Sequence, residues 1–148
     1  MLARKRNLSP EMADTLSVFV MDSFAVIAHF EAESGGEKVL ELLETAGKGE
    51  IVIAMSQMNV GEVAYLVRRE RGKKQAEALI SDLRSLPITF YEVTEERIFA
   101  AAWLKADYPI SYADAFAASL AIELKGELIT GNPEFKLLEK MLSLVWLE

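Results

Sequence analysis

The sequence predicts an α/β domain in three layers, a central parallel sheet covered by helices on both faces. Three observations carry that prediction. Uncharged runs rich in β-branched and aromatic residues, such as Ser17-Val18-Phe19-Val20-Met21 and Ile51-Val52-Ile53-Ala54-Met55, read as strands buried on both faces. Longer stretches with apolar residues at helical spacing separate such runs. Their alternation argues for parallel strands joined by crossovers, whose right-handedness brings every strand's carboxyl end to one edge.

The elements follow in order. Residues 1–16 form a polar, partly basic N-terminal extension, expected to be poorly ordered at its start. Met12 offers an alternative start. The domain proper spans 17–148. A first strand over 17–21 leads into a short helix over 23–30, with Asp22 or Ser23 as its cap. Gly35-Gly36 breaks the chain, and Val39, Leu40, Leu42 and Leu43 mark a second helix to about residue 45. Gly47 and Gly49 then turn into a strand over 51–55. Ser56 is placed to cap a helix to residue 71, Gly72 interrupts it, and another helix over 73–86 ends at Pro87. A third strand is expected over 88–93 and a helix from Thr94 to residue 106. Ser111 opens an alanine-rich helix ending near Lys125-Gly126. A fourth strand over 127–130, a helical turn after Pro133 and a last strand over 144–147 complete the chain.

Composition narrows the chemistry. At 148 residues, 51% apolar and 26% charged, the chain is long enough for one substantial core. No cysteine excludes disulfides and thiolate metal sites, and the single His29 excludes a multi-histidine zinc site. His29 itself reads as structural or exposed near a helix end, not catalytic. Metal chemistry would rest on oxygen ligands, which favours Mg2+ or Mn2+. No apolar run reaches the ~18 residues of a membrane span, and Asn7 to Thr15 is polar where a signal peptide needs an apolar core. A cytoplasmic protein with no membrane contact is expected. The net charge of −7 disfavours an extended polyanion surface and leaves room for a local one.

Asp22 follows the first strand directly, at the edge where parallel α/β sheets bind ligands. Glu62 lies about two turns into the helix after the second strand, roughly 9–10 Å along its axis. Asn132 follows the fourth strand by two residues, and Asp114 stands in the first turn of its helix. Each has a purely structural reading: Asp22 as a cap, Ser111-x-x-Asp114 as a capping box, Glu62 as a solvated position, Asn132-Pro133 as a cap with proline at the first helical position. Yet Glu62 and Asp114 sit in nearly uncharged segments, where a carboxylate is costly without compensation. Adjacent carboxylates repel unless a divalent cation neutralises them.

Four segments, Val20-Met21-Asp22-Ser23, Asn59-Val60-Gly61-Glu62-Val63, Ser111-Tyr112-Ala113-Asp114-Ala115 and Ile129-Thr130-Gly131-Asn132-Pro133-Glu134-Phe135, resemble PIN-domain ribonucleases. The closest resemblance is to the VapC-type toxins of toxin–antitoxin pairs. It implies a sheet of about five parallel strands and a metal-dependent endoribonuclease, with Asp22, Glu62 and Asp114 as catalytic and metal-binding acids. It further implies Mg2+ or Mn2+ as cofactor, an RNA substrate, a homodimer and a small antitoxin partner. Ser23 and Thr130 would support the site by hydrogen bonding. The family usually carries aspartate where this chain has Asn132, which keeps a carbonyl oxygen for a metal and removes a charge. A rival reading is therefore a PIN-like RNA- or partner-binding module with weakened or lost catalysis.

Arg68, Arg69, Arg71, Lys73 and Lys74 crowd seven positions of an otherwise acidic chain. They suit a helix end in any case; their functional reading is to hold RNA phosphates leading toward Glu62. Trp103, Trp146 and Phe116 fall in apolar patterns and are expected in the core. A haloacid-dehalogenase-type phosphatase would want an acid at Phe24, and is disfavoured.

Overall fold

The computed structural model describes residues 15–147. Residues 1–14 of the extension, with Arg4-Lys5-Arg6 and Met12, lie outside the described residues. The elements are β1 (Val18–Met21), α1 (Ser23–Phe30), α2 (Gly36–Gly47), β2 (Val52–Ser56), α3 (Gln57–Arg71), α4 (Lys73–Ser85) and β3 (Thr89–Tyr91). They continue with α5 (Glu95–Asp107), α6 (Tyr112–Glu123), β4 (Glu127–Thr130), a 3-10 helix (Pro133–Leu138) and β5 (Ser143–Trp146). The strands form a single sheet in the order β3-β2-β1-β4-β5. Every pairing is parallel, as the alternation predicts.

Residues along a strand face alternate sides, and β1 shows why the domain has three layers. Met21 joins Ile53, Met55 and Ile129 in a core beneath the helices from α1 to α4. Val20 joins Ala54 and Leu128 on the opposite face, against α6 and Phe135 of the 3-10 helix. Alanines make the second face possible. Ala115, Ala117, Ala118 and Ala121 of α6 are buried, and their small side chains let this helix lie close on the sheet. The backbone also comes close at Gly126, where an added Cβ would meet the Val18 carbonyl oxygen at 2.6 Å.

Element ends differ from expectation by a residue or two, and the third strand is trimmed at both ends. The third strand shrinks from 88–93 to Thr89–Tyr91. The Ile88 N–H turns to the Leu86 carbonyl instead of a neighbouring strand. Phe116 is buried, and Trp146 packs partly buried against the same core. Trp103 departs from expectation: it is 65% exposed and stacks on Phe99 with ring centroids 5.6 Å apart. Ala101 marks the inward face of α5, and Phe99 and Trp103 lie about 200° around the helix from it. Among the described residues no helix is long and apolar enough to cross a membrane.

Candidate functional site at the carboxyl edge of the sheet

Asp22 stands where β1 ends and α1 begins, and its side chain is engaged by both neighbours. One oxygen accepts from the Ala25 N–H at 2.9 Å, capping α1. The other accepts from the Thr130 hydroxyl at 2.5 Å, at the end of the adjacent strand β4. Burial dominates its ionisation, pushing the carboxyl up to about 7; these two hydrogen bonds oppose the shift, and Asp114 and Glu62 add to it.

Glu62 is delivered by α3. Ser56 ends β2 and caps this helix by accepting from Met58 N–H at 3.1 Å, so strand and helix share a residue. The Ser23 hydroxyl donates to Glu62, joining the second turn of α3 to the first turn of α1. Asp114 arrives on α6, whose first turn is fixed by Ser111 accepting from the Asp114 N–H at 3.1 Å. Burial pushes the Asp114 carboxyl up to about 6; Ser111 opposes this, while Glu62 and Glu134 reinforce it.

Asn132 completes the edge. Its amide nitrogen donates to Asp114 at 3.0 Å, while its carbonyl oxygen accepts from the Glu134 N–H and caps the 3-10 helix. The amide thus presents a donor to Asp114 rather than an oxygen. The Asn132 backbone N–H donates to the Thr130 hydroxyl at 3.0 Å, so that hydroxyl links Asn132 to Asp22.

The six residues Asp22, Ser23, Glu62, Asp114, Thr130 and Asn132 therefore meet in one hydrogen-bonded and electrostatically coupled group. Among the described residues, the ion pairs lie elsewhere: Arg71–Glu31, Lys73–Glu77 and Arg97–Glu123. The donor set is oxygen-rich and uncompensated by any cation side chain, which suits a hard divalent ion. Among the described residues, however, no three acidic or histidine side chains close tightly enough to hold a metal as they stand. Hydroxyl and amide donors occupy the carboxylates in this arrangement.

The five cations lie apart, exposed around the Gly72 joint between α3 and α4. Arg71 pairs with Glu31 at 3.2 Å and Lys73 with Glu77 at 3.8 Å. Arg68 and Lys73 line a groove between α3 and α4 with Ile80. Arg69 alone falls on the Glu62 face of α3, seven residues on. Its guanidinium lies 5.7 Å from the Tyr65 ring centroid. His29 is half-buried near the end of α1, with its ring 5.0 Å from that of Phe30.

Asn59 has a role that motif reading did not assign. Fully buried on α3, it donates to the Ala113 carbonyl at 3.0 Å, so the helix carrying Glu62 is tied to the one carrying Asp114. Its side-chain amide oxygen, Oδ1, has no hydrogen-bond partner. The available signal was its spacing, four residues before Val63 on the buried face of the helix.

Comparisons with known proteins agree with this architecture. A family model described as PIN domain matches residues 19–141. No curated protein matches the chain. Among solved structures, the chain resembles VapBC2 from Rickettsia felis, bound to a DNA fragment from its promoter. Identity is 22%, with 88% of this chain and 99% of that chain covered and a TM-score of 0.69. It also resembles VapBC-1 from nontypeable Haemophilus influenzae, at 20% identity, 87% and 97% coverage and a TM-score of 0.64. VapC20 of Mycobacterium tuberculosis, described as a Sarcin-Ricin loop cleaving toxin, is 19% identical over 82% of this chain and 95% of that chain, with a TM-score of 0.63.

Proposed function

The chain belongs to the PIN domain family, and from that premise we propose that it is a metal-dependent endoribonuclease, the toxin of a toxin–antitoxin pair acting in the cytoplasm. The observation that carries the reading is that Asp22, Glu62 and Asp114, from three separate elements, belong to one electrostatically coupled group, with no cation side chain paired to them among the described residues. The similarity to a loop-cleaving toxin supports the reaction class, and the similarity to VapBC structures supports a small antitoxin partner. Assembly as a homodimer belongs to the same proposal.

Asp22, Glu62 and Asp114 would hold Mg2+ or Mn2+, which when bound lowers the pKa of a water and polarises the scissile phosphate. The protein's own groups do the rest. Ala25 N–H and the Thr130 hydroxyl fix the direction of the Asp22 oxygens, and Ser23 holds Glu62 against α1. Either Glu62 or Asp114 would accept the proton of the attacking water. Asp22→Ala, Glu62→Ala and Asp114→Ala should each abolish cleavage of RNA in Mg2+ or Mn2+ while circular dichroism shows a folded protein. Full activity in Asp22→Ala would overturn the site assignment.

A second reading rests on Asn132, whose amide gives Asp114 a donor where the family pattern has a carboxylate. The domain would then bind RNA or a partner with catalysis weakened or lost. Titrating Mg2+ and Mn2+ in cleavage assays of the natural chain and Asn132→Asp separates the two. Cleavage by the natural chain supports the nuclease, and cleavage gained only with aspartate supports the binding module.

A further inference from the structure

Beside Glu62 lies a hollow of about 560 Å3, whose lining includes Met58, Gly61, Tyr65, Ser111 and Tyr112 as well as Glu62 itself. We propose that it is a nucleobase subsite, in which Tyr65 and Tyr112 stack a base of the bound strand and Arg69 takes the phosphate beyond it. The proposal rests on the ribonuclease reading and adds which side of the acid cluster the strand follows.

Continuity comes first. Glu62 belongs to both the acid cluster and the wall of the hollow, so a base placed there is adjacent to the group proposed to act on the phosphate. The lining then supplies the right surfaces. Tyr65 is 54% exposed and Tyr112 is 42% exposed, so both rings are open to solvent beside the acid cluster. Tyr112 is backed by Phe116, with ring centroids 5.2 Å apart, which restricts the ring without covering both faces. At Gly61 an added Cβ would meet nothing within 4 Å, so the hollow is open there. Aromatic faces of this kind accept any base by stacking, provided the base is unpaired.

Charge identifies the occupant. Glu62, Tyr65 and Arg69 fall at i, i+3 and i+7 on one face of α3, and Arg69 lies roughly 10 Å along the axis from Glu62. Of the five clustered cations it is the one on this face, and its contact with the Tyr65 ring leaves the charge available to an anion. An acid site, an aromatic and a cation in sequence along one helix match a phosphate, a base and a further phosphate in a protein of net charge −7.

The test uses the full chain in EDTA, with single-stranded RNA oligonucleotides and strands of equal length carrying abasic residues, followed by fluorescence anisotropy. The natural protein should bind the base-containing strand about tenfold more tightly than the abasic one. Tyr65→Ala/Tyr112→Ala should lose that preference, and Tyr65→Phe/Tyr112→Phe should retain it. Equal binding of both strands by the natural protein would overturn the subsite, as would an unchanged preference in the double alanine variant. Unchanged RNA preference combined with lost binding of a partner protein would assign the hollow to protein recognition instead. A parallel assay in Mg2+ or Mn2+ tests the underlying reading independently. Base preference without cleavage of any RNA would overturn the nuclease and support the subsite; cleavage without base preference would do the reverse.

Discussion

A carboxylate buried like Asp22 resists ionisation, and the metal-free protein should register that cost. Its carboxyl moves from an ordinary 3.8 to about 7 in the fold, chiefly through burial, and that of Asp114 from 3.8 to about 6. Between those values the native state holds protons that the unfolded chain has released, so stability falls as pH rises. The loss begins near the unfolded value and is complete once pH passes about 7. Thermal melts in EDTA should show Tm decreasing from pH 5 to pH 8, and Asp22→Asn should flatten most of that slope. Mg2+ should raise Tm more at pH 8 than at pH 5, because it binds the ionised site. Asn59 makes a separate residue-scale prediction. Asn59→Ala removes the side-chain hydrogen bond that ties α3 to α6 at the Ala113 carbonyl, which should cost about 1 kcal/mol in urea unfolding and weaken Mg2+ binding. The acids could be read from sequence because each interrupts an apolar segment. The direction of the Asn132 amide could not, since it depends on Glu134 and Asp114 meeting it from opposite sides.

Helices reach the site by different routes, and the elements were legible to different degrees. Strand–cap–helix transitions at Asp22 and Ser56 are local, and α1 was expected over the residues it occupies. The outward position of Trp103 was not legible, because the alanines of α5 leave its apolar pattern without a distinct face. The approach of α1 and α2 was also hidden. An added Cβ at Gly36 would meet the Ala28 carbonyl oxygen at 2.6 Å, a backbone neighbour that cannot simply rotate away. Gly36→Ala should therefore destabilise the domain by about 1–3 kcal/mol in chemical denaturation, despite the better helix propensity of alanine. Ser111→Ala removes the cap of α6 and should cost about 1 kcal/mol in the same measurement. A fall in Mg2+ affinity beyond that expected from stability alone would show that the cap also orients Asp114.

At the scale of the whole molecule, a net charge of −7 makes any RNA association depend on few cations. Binding should weaken as salt is raised, and Arg69→Ala should lower the slope of log affinity against log salt by about one phosphate contact. An unchanged slope would remove Arg69 from the interface. The alternation of elements made the parallel sheet and its five strands legible from sequence. The order β3-β2-β1-β4-β5 is a matter of long-range pairing, for which short apolar runs carry no address. The same order has a consequence for synthesis. β1 is central, and its partner β4 begins at Glu127; the Thr130 hydroxyl that fixes Asp22 lies 108 residues away. A chain growing from its N-terminus carries Asp22, then Glu62, then Asp114, and still lacks the strand that orders the first of them. The ribosome thus makes most of the protein before this edge can assemble, which separates production of the proposed nuclease in time from its action on RNA.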